Sequence, residues 1–424
     1  MCGILVRMSH SARFADYRAA LTTPGMRGPV VAALLARLPI AMVGLSLLLY
    51  VQRTTGSFAI AGLVSAGSLV GVAVGAVVQG RLMDRLGPTR PLLGAIGLLM
   101  VFATASIIAV ESQAPVTVLL PLTFAVGFNE PMVGSASRAL WARMVPAGST
   151  RLAGYAYEAI SMEVFFILGP GLSGLLVAAP WAGTGVVTGV VCMVIGGTWF
   201  ALNPTVRAVR PAAVSDRKLL GALASPGMRT VALAALGFGV TIGFIEVAVP
   251  AAAANAGHLS LGGLLLSAWS ISSVVFGVLY AMRPFPKSMH LRLPALLGGF
   301  GALSLLLAVP TTLIWLGATM LLVGTLVTPQ ATTHSAAIEQ VAPRGTATEA
   351  FGWVITAVTV GLAIGQSISG YLVEHVGTSV AFLAAGGSGL LMAAVVWLLR
   401  GTVAAGVPAE EAPAKRGEMD LAAR

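Results

Sequence analysis

Charged residues are scarce in this chain. Asp, Glu, Lys and Arg make up 9% of its 424 residues, whereas about a quarter of a typical soluble domain is charged. Hydrophobic residues make up 57% of the sequence, and the mean hydropathy is +0.91. A single core could not cover this much apolar surface, so the composition excludes a soluble globular protein and indicates an integral membrane protein.

Cysteine is scarce as well, with only Cys2 and Cys192 in the sequence. Two cysteines so far apart match no metal-binding or redox spacing, and we interpret Cys192 as a small core hydrophobe. The H-E-x-x-H, G-x-S-x-G and P-loop patterns are missing, which argues against a membrane-embedded enzyme. We therefore predict a protein that is not an enzyme and needs neither a metal nor a cofactor.

The apolar residues form twelve stretches of about 20 residues, the length that a helix needs to cross about 30 Å of hydrocarbon. They lack the period-two alternation of an outer-membrane barrel, and their Gly, Ala and Ser content suits close helix packing. The predicted spans are Pro29–Val51, Phe58–Gln79, Pro91–Val110, Pro115–Gly134, Leu152–Ala178, Gly183–Leu202, Thr230–Ala252, Leu259–Met282, Leu291–Val309, Thr311–Thr332, Ala347–Val373 and Thr378–Leu399.

Positive charge falls on one side of these spans. Of the 25 Lys and Arg residues, all except Arg37 and Arg53 lie in the two tails or in the even-numbered connections. Because positively charged loops stay in the cytoplasm, both termini are predicted to be cytoplasmic. The net charge of +10 is spread among loops that can meet anionic lipid, so it does not indicate a nucleic-acid partner.

The two halves of the chain share short matches at a nearly constant offset. Residues 24–27 (PGMR) recur at 226–229, and the segment 168–174 of span 5 parallels 364–370 of span 11. Gly127 with Pro131 in span 4 likewise matches Gly324 with Pro329 in span 10. The predicted organisation is an N-terminal tail at 1–28, a six-helix bundle at 29–202, a linker at 203–229, a second bundle at 230–399 and a disordered tail at 400–424.

A charged turn joins spans 2 and 3 in the pattern G-x-x-x-D-R-x-G followed by a basic residue. Its members are Gly80, Asp84, Arg85, Gly87 and Arg90. The glycines permit a tight reversal of the chain. The pattern resembles the loop 2–3 motif of the major facilitator superfamily, which implies that Asp84 stabilises one state of a cytoplasmic gate.

This resemblance covers residues 24–400 and implies two bundles around a central site that opens alternately to each side. Span 5 carries Gly169, Pro170 and Gly174, and this run is similar to the family's motif for antiporter-type exporters. The proline is expected to kink the helix. The resemblance implies a monomeric carrier in the bacterial cell membrane that exchanges a small molecule for protons and is driven by the proton gradient.

Ionisable groups inside spans are costly, at about 2.5–3.5 kcal/mol for a charge at the helix centre, and so they mark candidate sites. Our substrate-cavity candidates are Arg37, Asn129, Glu130 and Gln330. For Arg37 a buried ion pair is the alternative, since Glu130 and Glu158 lie at compatible depths.

Three carboxyl groups, those of Glu163, Glu246 and Glu158, are candidates for proton coupling. Burial away from water favours the neutral acid, which allows proton uptake and release near neutral pH. Glu163 lies nearest the membrane midplane and is the strongest candidate. The structural alternative for Glu163 and Glu246 is a neutral acid bonded to a backbone carbonyl near a proline.

The leading function is therefore proton-coupled efflux of a small amphiphilic or drug-like compound. A symporter or facilitator for a sugar or another nutrient is the alternative, although the spans offer few of the Asn, Gln and Trp side chains that bind sugars. A non-transporting sensor on the same fold is the third possibility, and proton flux in proteoliposomes distinguishes it from a carrier.

The twelve-span topology makes a direct prediction for reporter fusions. Because the positive charges assign the even-numbered connections to the cytoplasm, fusions after Thr89, Ala147 and Arg210 should report the cytoplasmic side. Fusions after Arg53, Gln113, Pro180 and Gly257 should report the external side. A cytoplasmic signal from any fusion in the second group would contradict the topology.

Overall fold

The computed structural model describes residues 14–145, 149–209, 221–282, 288–343 and 347–404, except for some side chains that include those of Asp84 and Glu163. Twelve helical spans in these residues are long and apolar enough to cross a membrane, as the sequence predicted. The fold is all-helical in the described ranges, where no strand occurs.

The N-terminal half contributes the first six spans. Its helices are α1 (Phe14–Thr22), α2 (Arg27–Arg37), α3 (Ile40–Thr55), α4 (Phe58–Leu86), α5 (Thr89–Glu111), α6 (Val116–Phe128), α7 (Val133–Met144), α8 (Ser149–Val177), α9 (Thr184–Leu202) and α10 (Pro204–Arg207). The short helices α1 and α10 lie outside the spans.

The C-terminal half contributes the other six spans. Its helices are α11 (Pro226–Asn255), α12 (Leu259–Met282), α13 (Met289–Leu305), α14 (Leu313–Gly324), α15 (Val327–Val341), α16 (Ala347–His375), α17 (Thr378–Leu398) and α18 (Arg400–Ala404), with 3-10 turns at Ala222–Ala224 and Leu306–Ala308. Helix α11 begins inside the predicted linker because Ser225 caps it, and α18 extends the structure into the predicted disordered tail.

Three spans that the sequence predicted as continuous are each built from two helices. Span 1 is interrupted between α2 and α3, span 4 between α6 and α7, and span 10 between α14 and α15. Pro39 and Pro131 lie at the first two interruptions, where a missing N–H prevents a regular helix. The spans predicted from hydropathy end too early in spans 4 and 10, because the second helix of each span is polar.

The side chain of Gln79 on α4 satisfies the exposed backbone at the interruption of span 4. Its Nε2 donates to the carbonyls of Phe128 (2.8 Å) and Glu130 (2.9 Å), and its Oε1 accepts from the N–H of Met132 (3.2 Å). Gln79 is 4% exposed. One buried amide thus replaces three hydrogen bonds that a continuous helix would have made itself.

The C-terminal half has a matching arrangement at the interruption of span 10. Ser273 on α12 accepts a hydrogen bond from the N–H of Thr328 (3.1 Å), and the two hydroxyls lie 2.7 Å apart. Gly127 and Gly324, which the sequence repeat pairs, each pack on the backbone of the neighbouring span, at Ser68 and at the Trp269 carbonyl. The repeat in the sequence is therefore a repeat in packing.

The two bundles meet along two pairs of spans, α4 with α16 and α8 with α12. We call the end at which α2 begins the proximal end, and the end with the α3–α4 and α11–α12 connections the distal end. A side chain at Gly62 would collide with the carbonyl of Gln366, and one at Gly174 with the carbonyl of Ser260. These close backbone approaches lie in the distal halves of the spans.

Replacing Gln79 with Met tests the role of this amide in the fold. Methionine keeps the length of the side chain but leaves three buried backbone groups without partners, so we expect a loss of about 3 kcal/mol in the free energy of unfolding. Thermal unfolding in detergent measures the change. The matched control is Thr319→Val, since within the described residues the hydroxyl of the half-buried Thr319 bonds to its own helix at Trp315. Equal midpoints for both variants would contradict the assignment.

Candidate functional site

Arg37 ends helix α2 at the interruption of span 1 and is 2% exposed. Its Nη1 forms an ion pair with Oε2 of Glu158, and its Nη2 donates to the Glu158 carbonyl (3.0 Å). Nη1 also lies 3.4 Å from the Ser161 hydroxyl. The guanidinium therefore joins span 1 to span 5 inside the N-terminal bundle.

The second carboxylate oxygen of Glu158 is occupied as well. It accepts hydrogen bonds from the Ser137 hydroxyl (2.6 Å) and from Nε1 of Trp141 (2.9 Å), both on α7. With Arg37 on its other oxygen, Glu158 carries a full set of donors for the ionised form. This arrangement favours a fixed charge that joins spans 1, 4 and 5.

Asn129 and Glu130 occupy the interruption of span 4. The Asn129 side chain donates to the carbonyl of Ala125 (2.8 Å) and so closes the end of α6. Glu130 is 9% exposed. Among the residues that the structure describes, no Lys, Arg or His nitrogen lies within 4.0 Å of the Glu130 carboxylate. Of the two carboxylates predicted at a depth compatible with Arg37, the structure pairs it with Glu158.

Gln330 on α15 is fully buried and lies beside a histidine that the sequence analysis missed. Its Nε2 is 3.2 Å from Nε2 of His334, one helical turn further along. The His334 ring packs 5.7 Å from the ring of Phe238, within the core of the C-terminal bundle. His334 was missed because the predicted span ended at Thr332, although the i, i+4 spacing from Gln330 was a usable signal.

Glu246 on α11 faces Gln366 on α16. Gln366 Nε2 donates to Glu246 Oε2 at 2.7 Å. The other side-chain atom of this amide, Gln366 Oε1, is buried without a partner among the described residues. No cationic nitrogen of the described chain lies within 4.0 Å of Glu246. This carboxyl group therefore has one neutral donor and an unused acceptor close by.

The run Gly169, Pro170 and Gly174 lets α8 pack tightly on two sides. A side chain at Gly169 would collide with the backbone of Ala41 on α3, and one at Gly174 with α12 across the bundle interface. The Pro170 carbonyl in turn occupies the space that a side chain at Gly263 would need. Small residues thus bring span 5 close to its own bundle and to the opposite bundle at once.

In the charged turn between spans 2 and 3, helix α4 extends further than the sequence predicted. Helix α4 runs through Gly80 and Arg85 to Leu86, and Gly87 follows with a φ of 76°, which favours glycine. Arg90 lies in the first turn of α5. The side chains of Asp84 and Glu163 lie outside the described residues, so the gating and coupling roles expected of them stay predictions.

Comparison of the sequence with profiles of protein families identifies the family of this chain. Residues 30–333 match the sequence profile of the Major Facilitator Superfamily. The chain belongs to that superfamily. Comparison with curated protein sequences found no match.

Solved structures of transporters share the fold. The nucleoside transporter NupG superposes with a TM-score of 0.71 at 14% identity, over 88% of this chain and 99% of that one. A peptide transporter, POT, in complex with alafosfalin gives 0.69 at 14% identity, over 93% and 99%. The human organic anion transporter MFSD10 gives 0.58 at 16% identity, over 88% and 99%. Family and fold together indicate a multi-pass membrane transporter and not an enzyme.

A single and a double variant test whether Arg37 and Glu158 act as a structural pair. Arg37→Met alone leaves a buried charge without its partner, so we expect a loss of about 3–5 kcal/mol in stability. Adding Glu158→Gln removes that charge and keeps an acceptor for Ser137 and Trp141, so the double variant should be the more stable one. Thermal midpoints in detergent provide the measurement, and a double variant that is less stable than Arg37→Met would refute the pairing.

Proposed function

We propose that this transporter exports small amphiphilic compounds from the cell in exchange for protons, by alternating access between its two bundles. Proton uptake at Glu246 supplies the coupling. The observation that carries the proposal is the contact of Glu246 with Gln366, because it provides a protonation site between two spans next to the bundle interface.

The chemistry of this pair suits a reversible proton site. An ionised Glu246 accepts one hydrogen bond from the amide, as the 2.7 Å contact indicates. A protonated Glu246 could in addition donate to Gln366 Oε1, the buried acceptor that otherwise lacks a partner. Each protonation state thus has its own hydrogen-bond arrangement, whereas both carboxylate oxygens of Glu158 are already occupied by Arg37 and by donors on α7.

The position of Gln366 connects protonation to movement. Its backbone carbonyl packs directly on Gly62 of α4, which belongs to the opposite bundle. Val247, next to Glu246, lies in an apolar cluster with Leu48 of α3 and Ala61 of α4. A change in charge at Glu246 therefore acts at the place where the two bundles separate, which is what coupling requires.

The residues of the spans support an amphiphilic substrate. Glu130 and Glu246 lie on spans 4 and 7 without a cationic partner within 4.0 Å in the described chain, and the cation at Arg37 is neutralised. Spans 4 and 7 line the cavity in this family, so the unpaired carboxyl groups favour neutral or cationic compounds over anions. The antiporter-like run of span 5 favours efflux over uptake.

Transport by carboxyl-to-amide variants tests the coupling site. Glu246→Gln mimics the protonated acid, so we expect it to abolish efflux driven by a pH gradient in proteoliposomes while exchange of labelled substrate against unlabelled substrate continues. The substrate comes from a panel of cationic and neutral amphiphiles, screened by growth protection in a host that lacks its own efflux pumps.

Two matched variants complete the test. Glu111→Gln changes a carboxyl group that bonds to Tyr50 and Trp181 at the distal end of the N-terminal bundle, and it should keep gradient-driven efflux. Glu163→Gln tests the site that the sequence favours. Coupling would belong to Glu163 if this variant lost gradient-driven efflux while Glu246→Gln kept it. If the proton gradient instead drove substrate uptake, the export proposal would be wrong and the nutrient symporter would be favoured.

A further inference from the structure

Glu374 lies in the last turn of α16, at the distal end of the C-terminal bundle, and the sequence analysis gave it no role. Its Oε2 accepts hydrogen bonds from the hydroxyl of Ser57 and from the backbone N–H of Ala59 (2.9 Å). Ser57 immediately precedes α4 and Ala59 lies in its first turn, so both donors belong to the N-terminal bundle. A carboxylate of one bundle therefore binds the start of a helix in the other.

The chemistry of the contact is that of a helix cap supplied from outside. Ser57 is the N-cap residue of α4, and its hydroxyl oxygen also accepts from the N–H of Ile60 at 3.1 Å. The Ala59 N–H would otherwise have no acceptor within its own helix. A negative charge at this end of a helix also interacts favourably with the helix dipole.

This contact is distinctive among the polar contacts between the bundles. Wherever both partners belong to the described residues, each hydrogen bond that crosses from one bundle to the other ends on Glu374. The close approaches of Gly62 to Gln366 and of Gly174 to Ser260 are instead backbone packing. Packing of this kind has no directional bond that must break when the bundles separate.

We propose that Glu374 is a gating residue that holds the distal end closed by capping α4 across the bundle interface. Only an interaction that differs between two states can shift the equilibrium between them. The cap exists with the distal ends together and is lost when they part, because Ser57 and Ala59 move with one bundle and Glu374 with the other. Glu374 therefore stabilises the distally closed state.

The inference rests on alternating access and is independent of the substrate and of proton coupling. The test needs no substrate, so its failure is distinguishable from failure of the export proposal. A reporter cysteine replaces Ala251, which is fully buried in the apolar cluster at the distal end, in a chain with Cys2 and Cys192 changed to Ser. Labelling by a membrane-impermeant maleimide in proteoliposomes measures how often the distal end opens.

We expect Glu374→Ala to raise the labelling rate of this reporter about fivefold, the effect of losing one helix cap. Ser57→Ala removes one of the two donors and should give a smaller rise. Glu374→Gln keeps an acceptor oxygen without the charge and should lie between wild type and Glu374→Ala. These two milder variants keep the test decisive if Glu374→Ala does not fold.

Glu111→Ala is the matched control. Glu111 lies at the same end and accepts two hydrogen bonds of 2.7 Å from Tyr50 and Trp181, but both donors belong to its own bundle. A second reporter at Ala201, buried in the proximal core of the N-terminal bundle, detects general loosening. A rise confined to the Ala251 reporter and to the Glu374 and Ser57 variants supports the gate. Unchanged labelling in Glu374→Ala, or an equal rise in Glu111→Ala or at Ala201, would overturn it.

Discussion

A chain inside hydrocarbon has no water with which to satisfy its backbone hydrogen bonds, and the whole structure depends on how this constraint is met. Most spans meet it as unbroken helices. Spans 1, 4 and 10 do not, and their interruptions are tolerated because they lie inside protein. The Gln79 amide bonds to three backbone groups at one interruption, and Ser273 bonds to one at the equivalent place in the other half. In each bundle, a polar side chain from a neighbouring span thus satisfies backbone groups at a helix interruption.

The same need for internal satisfaction shapes the interface between the bundles. Glycines on α4, α8, α12 and α16 bring helices so close that a side chain would meet backbone. Such contacts are stabilised by dispersion forces and by the complementary shapes of the helices. Two helices that pack in this way can separate without leaving polar side chains exposed to lipid. A transporter must open along this surface in every cycle. Rigid bundles joined by a largely non-polar interface are suited to that movement.

Four carboxyl groups illustrate how neighbours decide the role of one residue type. Glu158 is enclosed by Arg37, Ser137 and Trp141 and belongs to the framework. Glu246 accepts a hydrogen bond from one neutral amide, and the proposed proton coupling rests on this contact. Glu374 reaches across the interface to a helix start. Glu130 has no cation within 4.0 Å in the described chain. Their burial and the identity and number of their donors distinguish them.

The sequence by itself determined the class of protein and the number of its spans, because hydropathy and the distribution of charge follow directly from residue type. It also determined the duplication, since the matches around Gly127 and Gly324 correspond to equivalent packing. Along a span, apolar composition identifies membrane depth well, but it does not show where a helix is interrupted. The breaks beside Pro39 and Pro131 and the extension of α15 past His334 were therefore missed.

Tertiary structure alone decided which charges meet. Arg37 had two carboxylates at compatible depth, and only the rotation of the helices selects Glu158 over Glu130. Nothing in the sequence linked Glu374 to the start of α4, which lies more than 300 positions away along the chain. The depth of a residue in the membrane follows from its position along a span and can therefore be predicted from the sequence. Partnership depends on how helices are rotated and packed against each other, and this is fixed only when all of them fold together.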